Sequence, residues 1–296
     1  MLKNISNLSQ NLQGILFMLV AAIFMSAMAT LVRIACEDMH PFQVAFLRNI
    51  IGVFLFVPIL LTTGTSSLKT KNMGLMFLRG IFNAVAMLTY FFALTMIPFA
   101  EMFALTFTVP LFVSLMAVLI FREQTGPRRI GCLAIGFFGA MVVVRPGFEI
   151  VDLGAIYALV SALAWAMAVI VIKRLSRDDS PVTITLYGLL FLTIVTFPLA
   201  LFVWEWPTLE QYILLLILSV VGTAGQLLFT QSLKLSDASL VMPFDFTKLI
   251  WASFIGFYIF SEIPTVWTIL GGVIIFSSAS YLTYREGKKD TTLQTF

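Results

Sequence analysis

The sequence predicts an all-α membrane protein: ten transmembrane helices in two five-helix halves of opposite orientation, with both termini cytoplasmic. Three observations carry that prediction: the length of the apolar runs, a one-sided distribution of basic residues, and an internal match at an offset near 140 residues. Hydrophobic residues make up 60% of the 296 and charged residues 11%, with a mean hydropathy of +1.00. A soluble domain carries about 25% charged residues. A water-soluble fold of this length has too little polar surface to cover so much apolar mass, so lipid is the natural solvent.

A membrane helix needs about 20 mostly apolar residues. Ten stretches qualify: 14–34, 43–63, 74–96, 99–121, 129–145, 153–173, 182–203, 209–232, 238–260 and 265–284. Polar or Pro/Gly punctuation separates most of them, as at Glu37-Asp38-Met39-His40-Pro41, Thr63–Ser67, Arg145-Pro146-Gly147 and Asp178–Pro181. Only Met96-Ile97-Pro98 divides the third from the fourth. The first run, with Lys3 before it and Ala27-Met28-Ala29 near its end, has the outline of a signal peptide. It also has a partner in the second half, which favours a permanent helix.

Basic residues stay on the cytoplasmic side of a membrane. With the N-terminus on that side, the tails and even-numbered loops hold Lys3, Lys69, Lys71, Arg122, Arg128, Arg129, Lys173, Arg174, Arg177, Lys234, Arg285, Lys288 and Lys289. Those are 13 of the 18 basic residues, against Arg33 and Arg145 on the opposite side. A missed or invented span would have switched the sides of every later loop.

At an offset of 140, Gly14 aligns with Gly154, Asp38 with Asp178, Pro41 with Pro181 and Pro58 with Pro198. At 139, Phe121-Arg122-Glu123 aligns with Phe260-Ser261-Glu262. Five spans is an odd number, so the second half enters the membrane upside down. Inverted repeats of this kind build secondary transporters with a site near the midplane. The expected division is an N-tail 1–13, a repeat 14–145, an inverted repeat 153–284 and a C-tail 285–296.

Three stretches carry a family resemblance: Pro98–Arg129, Gly131–Gly147 ending in VVVRPG, and Asp237–Glu262. The chain resembles the drug/metabolite transporter superfamily in its EamA branch. That resemblance implies two EamA repeats, ten helices, cytoplasmic ends and a multi-pass place in the inner membrane. Pro243–Ala252, PFDFTKLIWA, is similar to the group containing bacterial S-adenosylmethionine carriers and their riboflavin-, amino-acid- and carboxylate-transporting relatives.

Charges near the bilayer centre cost about 2.5–3.5 kcal/mol each on insertion scales. Four stand inside spans: Arg48, Arg79, Asp245 and Lys248. Asp245 and Lys248 share a face at a spacing of three, either as a self-neutralising pair or as part of a substrate or proton site. Pro243 nearby frees a backbone carbonyl. Arg48 and Arg79 either snorkel to opposite interfaces or bind a ligand. Two Arg and one Lys against one Asp leave +2, which calls for an anionic group on the substrate. Asn49, Asn83, Gln226 and Gln231 are candidate hydrogen-bonding groups, with interhelical contact as the other role. Tyr90, Trp165, Tyr187 and Trp251 are candidate pocket walls, or else interfacial aromatics.

There is no G-x-x-x-x-G-K-[ST] loop for ATP and no H-E-x-x-H or G-x-S-x-G hydrolase motif. The lone His40 and the separated Cys36 and Cys132 form no metal pattern. The expected protein is therefore a carrier, not an enzyme, with no cofactor. Its partners are a small molecule and the bilayer, without nucleic acid. Gly131, Gly136, Gly139 and Gly271-Gly272 allow close helix contacts and offer a surface for a homodimer. S-adenosylmethionine or an amino-acid-like substrate is favoured. The alternatives are an exporter or exchanger of riboflavin or di- and tricarboxylates, a channel, or a subunit without flux of its own.

Overall fold

The computed structural model describes residues 10–58, 61, 69–121, 127–145, 152–236 and 238–293. Arg122, Glu123, Pro146, Gly147, residues 64–67 and most of the expected N-tail lie outside the described residues. Twelve helices are described: α1 (Gln10–Asp38), α2 (Pro41–Leu55), α3 (Met73–Met96), α4 (Phe99–Thr106), α5 (Val109–Phe121), α6 (Pro127–Val144), α7 (Leu153–Leu175), α8 (Pro181–Leu201), α9 (Leu209–Leu235), α10 (Ala238–Asp245), α11 (Lys248–Tyr258) and α12 (Val266–Leu293). No strand occurs among the described residues. Five of the helices, α1, α3, α7, α8 and α9, are each long and apolar enough to cross a membrane.

Local chemistry sets the helix starts. Pro41 and Pro181 open α2 and α8, where a missing N–H costs nothing. His40 and Ser180 precede them as N-caps and accept from Phe42 N–H and Thr183 N–H. The lone histidine is thus a cap, at the place equivalent to Ser180. Thr208 and Gln211 form a reciprocal capping box on α9. Ile97 is extended between α3 and α4, so the short junction there is a true turn. Helix α12 continues to Leu293, past the expected start of the C-tail at 285; 285–293 holds no proline, and its single glycine, Gly287, does not end the helix.

The halves interlock rather than sit side by side. The most extensive packing joins α1 to α9, α3 to α7, α6 to α12 and α2 to α8, each pair drawing one helix from each repeat. The first two pairs are one contact drawn twice. A Cβ on Gly14 would fall 2.1 Å from Ser236 Oγ, and one on Gly154 would fall 2.7 Å from Ile97 Cγ2. Gly14 and Gly154 are 140 apart, and Ile97 and Ser236 are 139 apart. Gly139 and Gly271 close the α6–α12 contact, where a Cβ on Gly139 would lie 3.0 Å from Gly271 O. A Cβ on Gly136 would lie 2.4 Å from a Leu111 methyl. Of the glycines offered above as a dimer surface, Gly136, Gly139 and Gly271 are occupied by contacts inside the chain, whereas a Cβ on Gly131 would meet open space.

The fourth span of each half departs from its expected single helix. Residues 99–121 divide at Phe107-Thr108, and residues 238–260 divide at Phe246-Thr247. The breaks are equivalent at an offset of 139. Thr108 Oγ1 donates to Leu105 O at 2.7 Å, and Thr247 Oγ1 donates to Phe244 O at 2.8 Å. Each hydroxyl adds a second bond to a carbonyl three residues back that already accepts the N–H of the same threonine, at 3.0 Å for Leu105 O and 3.2 Å for Phe244 O. The rings of Phe107 and Phe246 meet edge-to-face, 4.9 Å apart and perpendicular. Two equivalent residues can touch only beside the axis that relates the halves.

The surface is apolar and the interior holds polar groups. Phe54, Phe138, Ile194 and Phe254 face outward. Asn49, Arg79 and Thr108 are buried. That is the arrangement lipid requires.

At the end of the bundle away from the α1 N-terminus, Glu262 ties the repeats together. Its carboxylate accepts from Arg33 Nη2 and, at 2.7 Å, from Phe99 N–H at the start of α4. The Arg33 guanidinium also lies 4.4 Å from the centre of the Phe260 ring. Ser261, at φ 55°, turns the chain so that Glu262 faces inward. A Glu262→Ala protein is expected to lose about 2 kcal/mol, since hydrogen bonds to a charged group contribute about 1.5–3 kcal/mol. Thermal unfolding in detergent reads this as a drop of several degrees; a melting temperature equal to wild type would show that the tie contributes nothing.

Candidate functional site

One cavity of about 910 Å³, its mouth included, lies between the repeats. Its wall is built from helical stripes. Helix α3 gives Arg79, Asn83, Ala86, Met87, Tyr90 and Phe91, and α8 gives Thr185, Gly188, Leu189 and Leu192. Both follow the spacing of three and four that defines one helix face. Met25 and Met28 of α1, Arg48 of α2, Ser161, Ala162 and Trp165 of α7 and Gln226 of α9 complete the sides. Thr106 and Lys248 bring both helix breaks to the same space.

The two arginines are enclosed by protein and do not reach the bundle ends. Arg48 is 7% exposed and Arg79 1%. Arg48 Nη1 donates to Asn49 Oδ1 at 3.1 Å and to Met87 Sδ at 3.6 Å, and Nη2 donates to Met28 Sδ at 3.4 Å. Thioether sulfur is a weak acceptor. Arg79 Nη1 donates to the backbone carbonyl of Ile184. Neither Nε has a partner among the described residues. Thr185 Oγ1 and Gln226 Nε2 are likewise buried without one.

Each guanidinium rests on a glycine of the second repeat. A Cβ on Gly188 would fall 2.1 Å from Arg79 Nη1, and one on Gly222 would fall 2.7 Å from Arg48 Nη2. Gly188 is the equivalent of Arg48 at an offset of 140, and Gly222 that of Asn83 at 139. One half thus supplies the polar side chain where the other supplies room for it. Gly188→Ala and Gly222→Ala are expected to displace the guanidiniums and lower transport about tenfold while keeping the protein in the membrane. Transport assays with a matched immunoblot check this; unchanged transport would mean the arginines tolerate the shift.

Lys248 and Asp245 pair at 2.5 Å across the second helix break, in ionic contact without hydrogen-bond alignment. They share no continuous helix face, as the spacing suggested. Asp245 ends α10 and Lys248 begins α11. Lys248 Nζ also lies 6.0 Å from the Phe229 ring, which packs on Trp165 at 5.6 Å. Tyr90 is within electrostatic reach of Asp245.

Seven of the twelve residues singled out in the sequence line this cavity: Arg48, Arg79, Asn83, Tyr90, Trp165, Gln226 and Lys248; Asn49 reaches it through Arg48, and Gln231 is not among the lining residues. Asp245 joins them through Lys248. Tyr187 does not line it. It neighbours Gly188, about 100° around α8 from the lining face, and its ring is 6.4 Å from Phe191. Trp251 is 40% exposed on the outer surface of α11. Thr106, Thr185, the methionines and the two seating glycines carry no charge, so nothing in the sequence marked them. Among the described residues no group of acidic, His or Cys side chains has the arrangement to hold a metal.

A doubly repeated, all-helical, lipid-facing scaffold around one cationic cavity defines a membrane transporter rather than an enzyme. The chain belongs to the EamA-like transporter family, whose pattern matches residues 12–145 and again 152–284. It is 26% identical to an S-adenosylmethionine uptake transporter of Rickettsia bellii, over 93% of this chain and 94% of that one. It is 32% identical to a riboflavin transporter of Vibrio cholerae, over 94% and 95%. It is 28% identical to a pseudopaline exporter of Pseudomonas aeruginosa, over 88% and 93%. A crystal structure at 16% identity matches with a TM-score of 0.65 over 93% of this chain and 98% of that one, which establishes the likeness of fold.

Proposed function

We propose that this protein is a secondary carrier that moves a carboxylate-bearing metabolite across the bacterial inner membrane by alternating access. Ten spans with both termini cytoplasmic fit the proposal, with each broken pair, α4–α5 and α10–α11, counted as one span. The observation that carries it is the set of buried, unpartnered groups in the cavity: Arg48 Nε, Arg79 Nε and Gln226 Nε2 are donors, and Thr185 supplies a hydroxyl. Unmet donors beside cationic side chains favour an acceptor-rich, negatively charged ligand. Broken helices meeting at a central cavity are where inverted-repeat carriers bind their substrates.

S-adenosylmethionine and amino acids bear a carboxylate, and S-adenosylmethionine matches the names of several relatives. Riboflavin and di- or tricarboxylates form a second reading, favoured by the aromatic walls and by the surplus of cations. Purified protein in liposomes is expected to show saturable counterflow of one labelled compound from a set holding all four classes. Unsaturable flux would identify a channel. Full counterflow by both Arg48→Ala and Lys248→Ala would remove the assignment of the cavity as the binding site.

A further inference from the structure

We propose that the substrate carries two negative charges: a small organic dianion, as two carboxylates or one phosphate monoester. This rests on the carrier reading and sets its substrate class by charge: two negative charges, whether carried by carboxylates or by a phosphate. The charge around the cavity decides it. Lys248 is already neutralised by Asp245. Among the described residues, Arg48 and Arg79 meet only neutral acceptors: an amide oxygen, two thioethers and a backbone carbonyl. Two guanidiniums and a neutral pair sum to +2, in a space where every other lining residue is uncharged. A buried charge is tolerated when a partner neutralises it. A single carboxylate would leave one guanidinium uncompensated, and a zwitterionic amino acid both. S-adenosylmethionine, with a sulfonium and an ammonium against one carboxylate, would raise the sum to +3.

The wall chemistry supplies the rest of the molecule's description. Met25, Met28, Phe103, Trp165, Leu189 and Leu192 offer no acceptor stronger than a thioether. They suit an apolar or aromatic body between or beside the anionic groups. Thr185 and Gln226 add neutral hydrogen-bonding capacity to the same wall.

Matched pairs test the charge requirement on the full chain. Riboflavin 5′-phosphate is compared with riboflavin, and glutarate with its half-amide, alongside S-adenosylmethionine. Thermal stabilisation of the detergent-solubilised protein and counterflow in liposomes are read together. At least one dianion is expected to act at a concentration about tenfold or more below that of its less charged partner, and ahead of S-adenosylmethionine. Arg79→Gln is expected to shrink that preference about tenfold. Equal action within both pairs, or a lead for S-adenosylmethionine, overturns the dianion while leaving the carrier reading in place. If no compound of either charge stabilises or exchanges, both fall.

Discussion

An Arg48→Gln protein is expected to fold at least as well as wild type and to lose about a hundredfold or more in the initial rate of counterflow. The two halves of that statement have one cause. Arg48 is buried with no carboxylate beside it among the described residues, so removing its charge removes an uncompensated burial cost. The same charge meets its compensation only when an anion occupies the cavity. Truncating one side of a buried, hydrogen-bonded charge pair costs about 2–5 kcal/mol in binding, and a hundredfold is about 2.7 kcal/mol. Melting in detergent and counterflow in liposomes check the two halves. A destabilised protein with intact transport would make Arg48 a packing residue and refute this account.

Asp245→Asn has the opposite signature. It leaves the Lys248 ammonium buried in a wall that already holds two guanidiniums. Breaking one side of a buried ion pair costs about 3–5 kcal/mol, so the melting temperature falls sharply and transport is lost with it. Adding Lys248→Met is expected to restore stability without restoring transport. The double variant separates the pair's two roles. If Asp245→Asn alone melts like wild type, the pair is solvated and the count of charge in the cavity is wrong.

Much of this was legible in the sequence because membranes make charge expensive. Arg48, Arg79 and Lys248 stand out in any apolar run, and each proved to line the cavity. The repeat was legible for a similar reason: Pro41 and Pro181 open helices, and that task keeps prolines where identity among leucines is cheap. The helix breaks were not legible. Phe107-Thr108 and Phe246-Thr247 contain neither glycine nor proline; Pro110 opens the helix after the first break, but the second break has no proline at the equivalent place, and a threonine hydroxyl bonded to a carbonyl three residues back also occurs in uninterrupted helices. The aromatics divided by face. Tyr90 and Trp165 lie on stripes that point inward, whereas Trp251 lies on the surface and Tyr187 one position off its stripe. An aromatic in a uniformly apolar helix gives no sign of which way it points, because lipid and core accept it equally.

The Phe107–Phe246 contact has a consequence for any motion that exchanges the conformations of the halves. A contact between two different positions, such as Arg33 with Glu262, has a distinct image in the opposite half, so the exchange can trade one for the other. A contact between a residue and its own equivalent is its own image. The paired rings can therefore persist unchanged from one end of the cycle to the other, an axle about which the surrounding helices are free to rock.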